Sequence, residues 1–183
     1  MEFITTTLPD VLLIEPTVLG DARGFFMESY RLDLFAAQGL DISFIQDNHA
    51  KSEREHVLRG LHFQLPPMAQ TKLVRVTAGA VYDVVVDLRQ GSPTYGKWEG
   101  FTLSAENFRQ LLVPKGFAHG YLTLEPHTEF LYKVDALYAP DLDTGISWDD
   151  PDLAVDWPCR DPLLSSKDQN LGPFAQFNSP FTF

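Results

Sequence analysis

One cysteine, Cys159, is all the sequence carries, which excludes an intrachain disulfide and any cysteine-rich metal site. Positive charge is scarce as well. Fourteen Lys and Arg against 25 Asp and Glu leave a net charge of −11 over 183 residues. Non-specific nucleic-acid binding rests on basic surface, so nucleic acid is not expected as a partner. No stretch approaches the roughly 18 apolar residues of a membrane span. The opening M-E-F-I-T-T-T-L-P-D puts no basic segment before an apolar core, so it is not expected to act as a signal peptide. Internal repeats, linkers and low-complexity tracts are also missing. The expectation is a cytoplasmic protein with neither membrane nor nucleic-acid partners. An acidic chain can still bind an anionic small molecule if its few Arg and Lys gather in one cleft.

What is present suits a single domain over residues 1–183: 44% of residues are hydrophobic and 21% charged. From 42 to 138 the pattern is almost wholly β, with strands expected near 42–48, 57–64, 71–77, 80–88, 97–103, 108–113, 117–124 and 128–138. Their separators hold Pro, Gly, Asn or Ser. Many short strands at about ten-residue spacing predict a mainly β sandwich or barrel, with a jelly roll leading. Before this core, V-L-L-I closed by Pro16 suits an edge strand, and Gly20–Gly24 is turn chemistry ahead of the strand-like F-F-M-E-S-Y. Residues 31–38 predict a short helix with Leu32, Phe35 and Ala36 on one face and Gly39 as its stop. After 139 the texture turns to Pro, Asp and Trp, predicting a tail that wraps the barrel with short helical turns around D-P-D-L-A-V-D-W.

The chain's centre of interest is V-L-R-G-L-H-F-Q-L-P-P-M-A-Q-T-K-L-V-R, residues 57–75. Two apolar runs flank Pro66-Pro67, which cannot continue a ladder, so the chain reads as two antiparallel strands joined by a loop. A turn symmetric about position 67 makes His62 and Lys72 cross-strand neighbours on one face. An imidazole beside an ammonium on a mostly apolar face is costly unless used, which makes this pair the first candidate for chemistry.

Seven segments, D-A-R-G-F-F-M-E-S-Y, Q-D-N-H-A-K-S, V-L-R-G-L-H-F-Q, K-L-V-R-V, V-P-K-G-F-A-H-G, E-F-L-Y-K and S-S-K-D, together resemble the dTDP-4-dehydrorhamnose 3,5-epimerase family over about residues 1–170. The resemblance implies a cupin-type jelly roll, a homodimer, no metal or organic cofactor, and dTDP-4-dehydro-6-deoxy-glucose as substrate. The tail after Asp168 matches no pattern, and nothing is carried over to it.

Inverting a carbon beside a ketone needs a base, a holder for the enolate oxygen, and an acid opposite the base. His62 resembles the family's base, Asp168 the carboxylate that orients it, Lys72 the enolate holder and Tyr132 the opposing acid. A phenol near its ordinary pKa of about 10 keeps its proton at neutral pH, and lowering that value would help it donate. Arg23 and Arg59 suit a diphosphate clamp. Glu28, Gln46 and Asn48 match nucleotide- or sugar-contacting positions, Phe26 an aromatic near the base, and His119 a residue lining the site. Singly, each has a plainer explanation: a core histidine, a packing tyrosine, a solvated lysine, a capping aspartate, a surface arginine. The set in family order reverses that weighting. Arg59 and His62 have opposite parity on a regular strand, so sharing a site requires a bulge, for which Gly60 is suited.

Pro114-x-Gly116-x-x-His119 also looks like the second metal motif of cupin oxygenases, but Phe63-Gln64 after His62 breaks the first. A non-catalytic sugar-nucleotide binder would need the arginines but not the four catalytic candidates. A sibling enzyme inverting only C3 or only C5 would use the same groups.

Overall fold

Period-two alternation builds the frame: in T-E-F-L-Y-K-V, residues 128–134, Thr128, Phe130 and Val134 are buried and their neighbours are not. The computed structural model describes all residues from Met1 to Phe183. One six-stranded sheet runs in the order β1 (Glu2–Thr5), β2 (Leu12–Glu15), β10 (Gln110–Val113), β7 (Lys72–Ala78), β12 (Thr128–Val134), β5 (Gln46–Ser52). A five-stranded sheet faces it, ordered β13 (Asp143–Gly145), β6 (Leu58–Gln64), β11 (Phe117–Thr123), β8 (Ala80–Asp87), β9 (Trp98–Ser104). Every pairing within both sheets is antiparallel. The two sheets form the expected cupin-like jelly roll. A separate hairpin, β3 (Val18–Asp21) with β4 (Gly24–Met27), stands outside them. No helix is long and apolar enough to cross a membrane.

Three apolar clusters hold the layers. Val74, Val76, Val85, Leu111 and Phe130 fill part of the space between the sheets. Leu58, Leu61, Phe63 and Val84 back the five-stranded sheet and are covered by Trp157 and Phe181 of the C-terminal tail. Ile14, Leu73 and Leu112 back the six-stranded sheet beneath Phe35 of α1 (Leu32–Ala37). The wrapping tail is therefore part of the core, including residues beyond the reach of the sequence patterns.

Several local expectations are corrected. Of the predicted helical face only Phe35 is buried; Leu32 and Ala36 are exposed, because a helix this short covers the sheet with one side chain. Gly39, at φ +77°, does end the helix. β2 is not an edge strand, since β1 lies outside it. β5 begins at Gln46, and the last predicted strand ends at Val134. Helical turns in the tail occur at Pro140–Leu142, Asp168–Asn170 and Phe174–Gln176, and within the expected stretch a single turn closes where Ala154 N–H donates to Asp150 C=O at 2.9 Å.

The largest correction concerns His62 and Lys72. β6 and β7 do not pair: β6 lies between β13 and β11, β7 between β10 and β12. Residues 65–71 turn a corner from one sheet to the other. Buried Gln64 fastens that corner, its Nε2 donating to the carbonyls of Met68 (2.7 Å) and Leu137 (3.1 Å) while its Oε1 accepts Ala139 N–H (2.8 Å). His62 and Lys72 thus meet across the barrel interior rather than along a ladder.

Candidate active site

A cavity of about 490 Å³ opens between the sheets beside the apolar cluster of Val74 and Leu111, with Tyr121 and Phe130 belonging to both. His62, Asp168, Lys72, Tyr132, Arg59 and His119 all border it. Each arrives by a different route.

β6 supplies His62 and Arg59 through the bulge that their parity required. His62 stands opposite His119 on β11, and Arg59 opposite Tyr121, so three steps on β6 match two on β11. Leu58, Leu61 and Phe63 accordingly share the outer cluster while Arg59 and His62 both face in. Gly60 makes this possible. Its φ is +146°, and a Cβ there would sit 2.5 Å from Gly120 Cα.

Asp168 comes from 106 residues further along and is 3% exposed. The tail is first pinned beside β6, Leu58 N–H donating to Leu163 C=O at 3.0 Å and Leu163 N–H to His56 C=O at 2.7 Å. Ser165 then acts as a cap: its Oγ accepts Asp168 N–H at 3.1 Å and donates to Asp168 Oδ2 at 2.9 Å. The other carboxylate oxygen bonds His62 Nε2. Burial alone would push the Asp168 carboxyl up, but the His62 and Ser165 bonds and the nearby Lys167 hold it below the usual carboxylate value. His62 Nδ1 has no protein partner and is the ring nitrogen free to take a proton.

Lys72 opens β7, inward like Val74 and Val76, and its only hydrogen bond is a long one to the His62 carbonyl, 3.5 Å. Burial lowers its ammonium to about 8, against the opposing pull of the Asp143 and Asp83 carboxylates. It is thus a cation with donors to spare, facing an open cavity. Tyr132, on the same sheet, lies opposite Val74 on β7 and Asn48 on β5. Its phenol is raised rather than lowered, chiefly by burial and then by Asp143, while the Arg59 guanidinium works in the opposite direction. It therefore holds its proton throughout the neutral range.

His119 Nε2 lies 2.9 and 3.0 Å from the two carboxylate oxygens of Asp83. Asp83 is fully buried, and desolvation raises its carboxyl. Sequence reasoning missed this residue, although a lone carboxylate in the apolar run A-V-Y-D-V-V-V signals a buried charge with a partner. It also missed Ser165, whose three-residue spacing from Asp168 is a cap signature, and Asp143 on the three-residue strand β13. No three His, Cys, Asp or Glu side chains converge as a metal-ligand group.

Five candidates do not border the cavity. Gln46 and Asn48 are on β5 with the inward parity of cavity-lining Ala50, and Gln46 Nε2 donates to Asn48 Oδ1 at 2.8 Å. They continue the row that begins at Ala50 along β5, beyond the cavity's edge. Arg23, Phe26 and Glu28 are elsewhere, on or beside the β3–β4 hairpin. Arg23 is 90% exposed and paired with Asp21, and Glu28 faces Arg31 at 3.3 Å. Phe26 is 65% exposed.

Comparison with known proteins agrees with this geometry. Residues 5–176 match the family model for dTDP-4-dehydrorhamnose 3,5-epimerase. A protein of that name from Pseudomonas aeruginosa is 54% identical over 177 residues, covering 96% of this chain and 97% of its own. A crystal structure of dTDP-4-dehydrorhamnose 3,5-epimerase from Bacillus anthracis with TDP and PPi bound superposes with TM-score 0.92 at 52% identity, over 94% of this chain and 98% of that one. A dTDP-6-deoxy-D-glucose-3,5-epimerase from Legionella pneumophila, in complex with dTDP-4-keto-L-rhamnose, gives TM-score 0.92 at 43% identity, over 97% and 94% of the two chains. The chain belongs to the dTDP-4-dehydrorhamnose 3,5-epimerase family and is an isomerase.

Proposed function

We propose that the protein inverts C3 and C5 of dTDP-4-dehydro-6-deoxy-glucose, giving dTDP-4-dehydro-L-rhamnose, with its own side chains as the whole catalytic apparatus. His62 removes the proton beside the C4 ketone, and Asp168 holds the imidazole and stabilises the imidazolium that forms. The electron pair moves onto the ketone oxygen, where the Lys72 ammonium receives it. Tyr132 returns a proton to the opposite face of the same carbon, leaving a phenolate beside Arg59. Solvent exchange then resets both groups. The observation that carries this reading is that His62 and Tyr132 border one cavity from facing sheets.

Arg59 clamps the diphosphate, His119 supports the sugar from the cavity wall, and Gln46 and Asn48 extend contacts toward the nucleotide. Arg23, Phe26 and Glu28 complete the site of a second copy in a homodimer. What supports this is the hairpin that carries them: it stands off both sheets with Leu19, Phe25 and Phe26 each more than half exposed. Sedimentation equilibrium tests the dimer, and a fully active monomer overturns it. The lone thiol and a sugar-nucleotide substrate fit a cytoplasmic setting.

The reaction is tested by proton NMR in heavy water. The wild type should deliver product inverted at both centres with solvent deuterium at C3 and C5. His62→Ala should lose this exchange by about 10²–10⁴-fold while retaining most substrate affinity. Exchange at near wild-type rate in that variant would assign the base elsewhere.

A further inference from the structure

One buried titratable side chain on the cavity wall has no part in the chemistry above. Tyr121 sits on β11, directly opposite Arg59 on β6 and Asp83 on β8. It is 6% exposed, and its ring stacks on Phe130 at 4.0 Å with 15° between the planes. The ring is therefore fixed, but the hydroxyl is unpaired. Arg75 Nε is the one fully enclosed side-chain polar atom without a hydrogen-bond partner, so the Tyr121 oxygen retains contact with open space. The space its residue borders is the cavity.

A rigid phenol with an unspent hydroxyl, beside the diphosphate-clamping guanidinium, is a preorganised donor. We propose that Tyr121 is a substrate-binding residue whose hydroxyl donates to a phosphoryl oxygen of the nucleoside diphosphate, alongside Arg59. This deepens the epimerase reading and rests on it. Burial raises the phenol further above its ordinary value, so it remains a donor at every working pH. Arg59 carries this chain's own charge recognition; Tyr121 fixes which phosphoryl oxygen faces the strand.

The decisive variant is Tyr121→Phe. It keeps the ring and the Phe130 stack and removes only a hydroxyl that bonds nothing in the protein, so a purely structural role predicts no functional loss. Binding of dTDP by calorimetry should weaken about 5–20-fold, the ordinary worth of one hydrogen bond, and KM for the keto sugar should rise in step. The melting temperature should hold within a degree or two. Unchanged dTDP affinity overturns the proposal, even if KM rises, because the contact would then be to the sugar. Weaker binding with a melting point several degrees lower also overturns it, in favour of a packing role. A wild type that neither binds dTDP nor turns over the keto sugar would defeat the underlying reading; a competent wild type matched by Tyr121→Phe would defeat only the assignment of Tyr121.

Discussion

Replacing Lys72 by methionine should stabilise the protein while removing most of its activity. The ammonium is displaced from 10.5 to about 8, chiefly because the barrel interior solvates it poorly. That displacement corresponds to about 3 kcal/mol held against the native state at neutral pH. Methionine fills nearly the same volume without a charge, and cavity water reduces the penalty, so the expected gain is about 1–3 kcal/mol at pH 7. The sign follows from proton binding. Between pH about 8 and 10.5 the unfolded chain still holds the lysine proton and the native protein does not, so wild-type stability rises with pH there relative to the variant. The gain of Lys72→Met should therefore be full at pH 7, shrink above pH 8 and vanish near pH 10.5. Catalysis should fall by about 10²–10³-fold with the loss of the enolate's cationic partner. In the wild type, kcat/KM should decline above pH about 8 as that cation titrates. Urea denaturation of both proteins at pH 7 and pH 10, with initial rates from pH 6 to 9.5, makes the measurement. A variant less stable than wild type at pH 7, or a stability difference that does not respond to pH, would refute the burial argument.

Tyr132→Phe should separate the two halves of the reaction: with only the His62 imidazolium left to return a proton, deuterium should enter with retention while output of inverted sugar falls severely, and equal loss of both would indicate a positioning role. Gly60→Ala should cost at least about 2 kcal/mol in denaturant midpoint analysis and most of the activity, because a Cβ meets Gly120 Cα at 2.5 Å and φ is +146°. Exhaustive dialysis against EDTA should leave the epimerase rate unchanged; recovery of a lost rate on adding a divalent metal would contradict a mechanism run by side chains alone.

Parity was the most informative local signal in the sequence. Arg59 and His62 could share a site only through a bulge, Gly60 was the residue able to carry one, and the register shift between β6 and β11 lies there. Symmetry about Pro66-Pro67 was misleading for an equally local reason. A proline pair stops a strand, but it does not say whether the chain then doubles back along the same sheet or crosses to another. That choice depends on distant side chains: Gln64 reaching Leu137 and Ala139, and Lys72 paired between Val113 and Val134. Asp168 is the extreme case. No periodicity links it to His62 across 106 residues, and only resemblance to a family joined them beforehand. Of the β3–β4 hairpin, the turn at Gly20–Gly24 and the strand after it were legible, whereas the pairing with Val18–Asp21 and the distance from the cavity were not.

Correcting the His62–Lys72 arrangement changes what the fold contributes to the chemistry. On a single hairpin, His62 and Lys72 would sit side by side and address one face of a sugar. Two sheets packed about 10 Å apart do something a single sheet cannot. Val74, Val85 and Leu111 fill part of that gap; next to them, bordered by Phe130 and Tyr121 together with the polar candidates, about 490 Å³ stays open. A flattened pyranose ring is about half as thick as the gap, so one ring inserted between the sheets turns one face to β6 and the other to β12. His62 and Tyr132 project from those two strands. Inversion, under the proposed roles, follows from this placement: the proton leaves toward one sheet and returns from the other, and the enolate need not turn over. Lys72, from the same sheet as Tyr132, reaches the far side's His62 carbonyl at 3.5 Å, so its ammonium spans the gap at the edge where a ketone oxygen would lie. The catalytic geometry is thus a consequence of closing the barrel, and any substitution that lets the sheets part should lose inversion before it loses substrate binding.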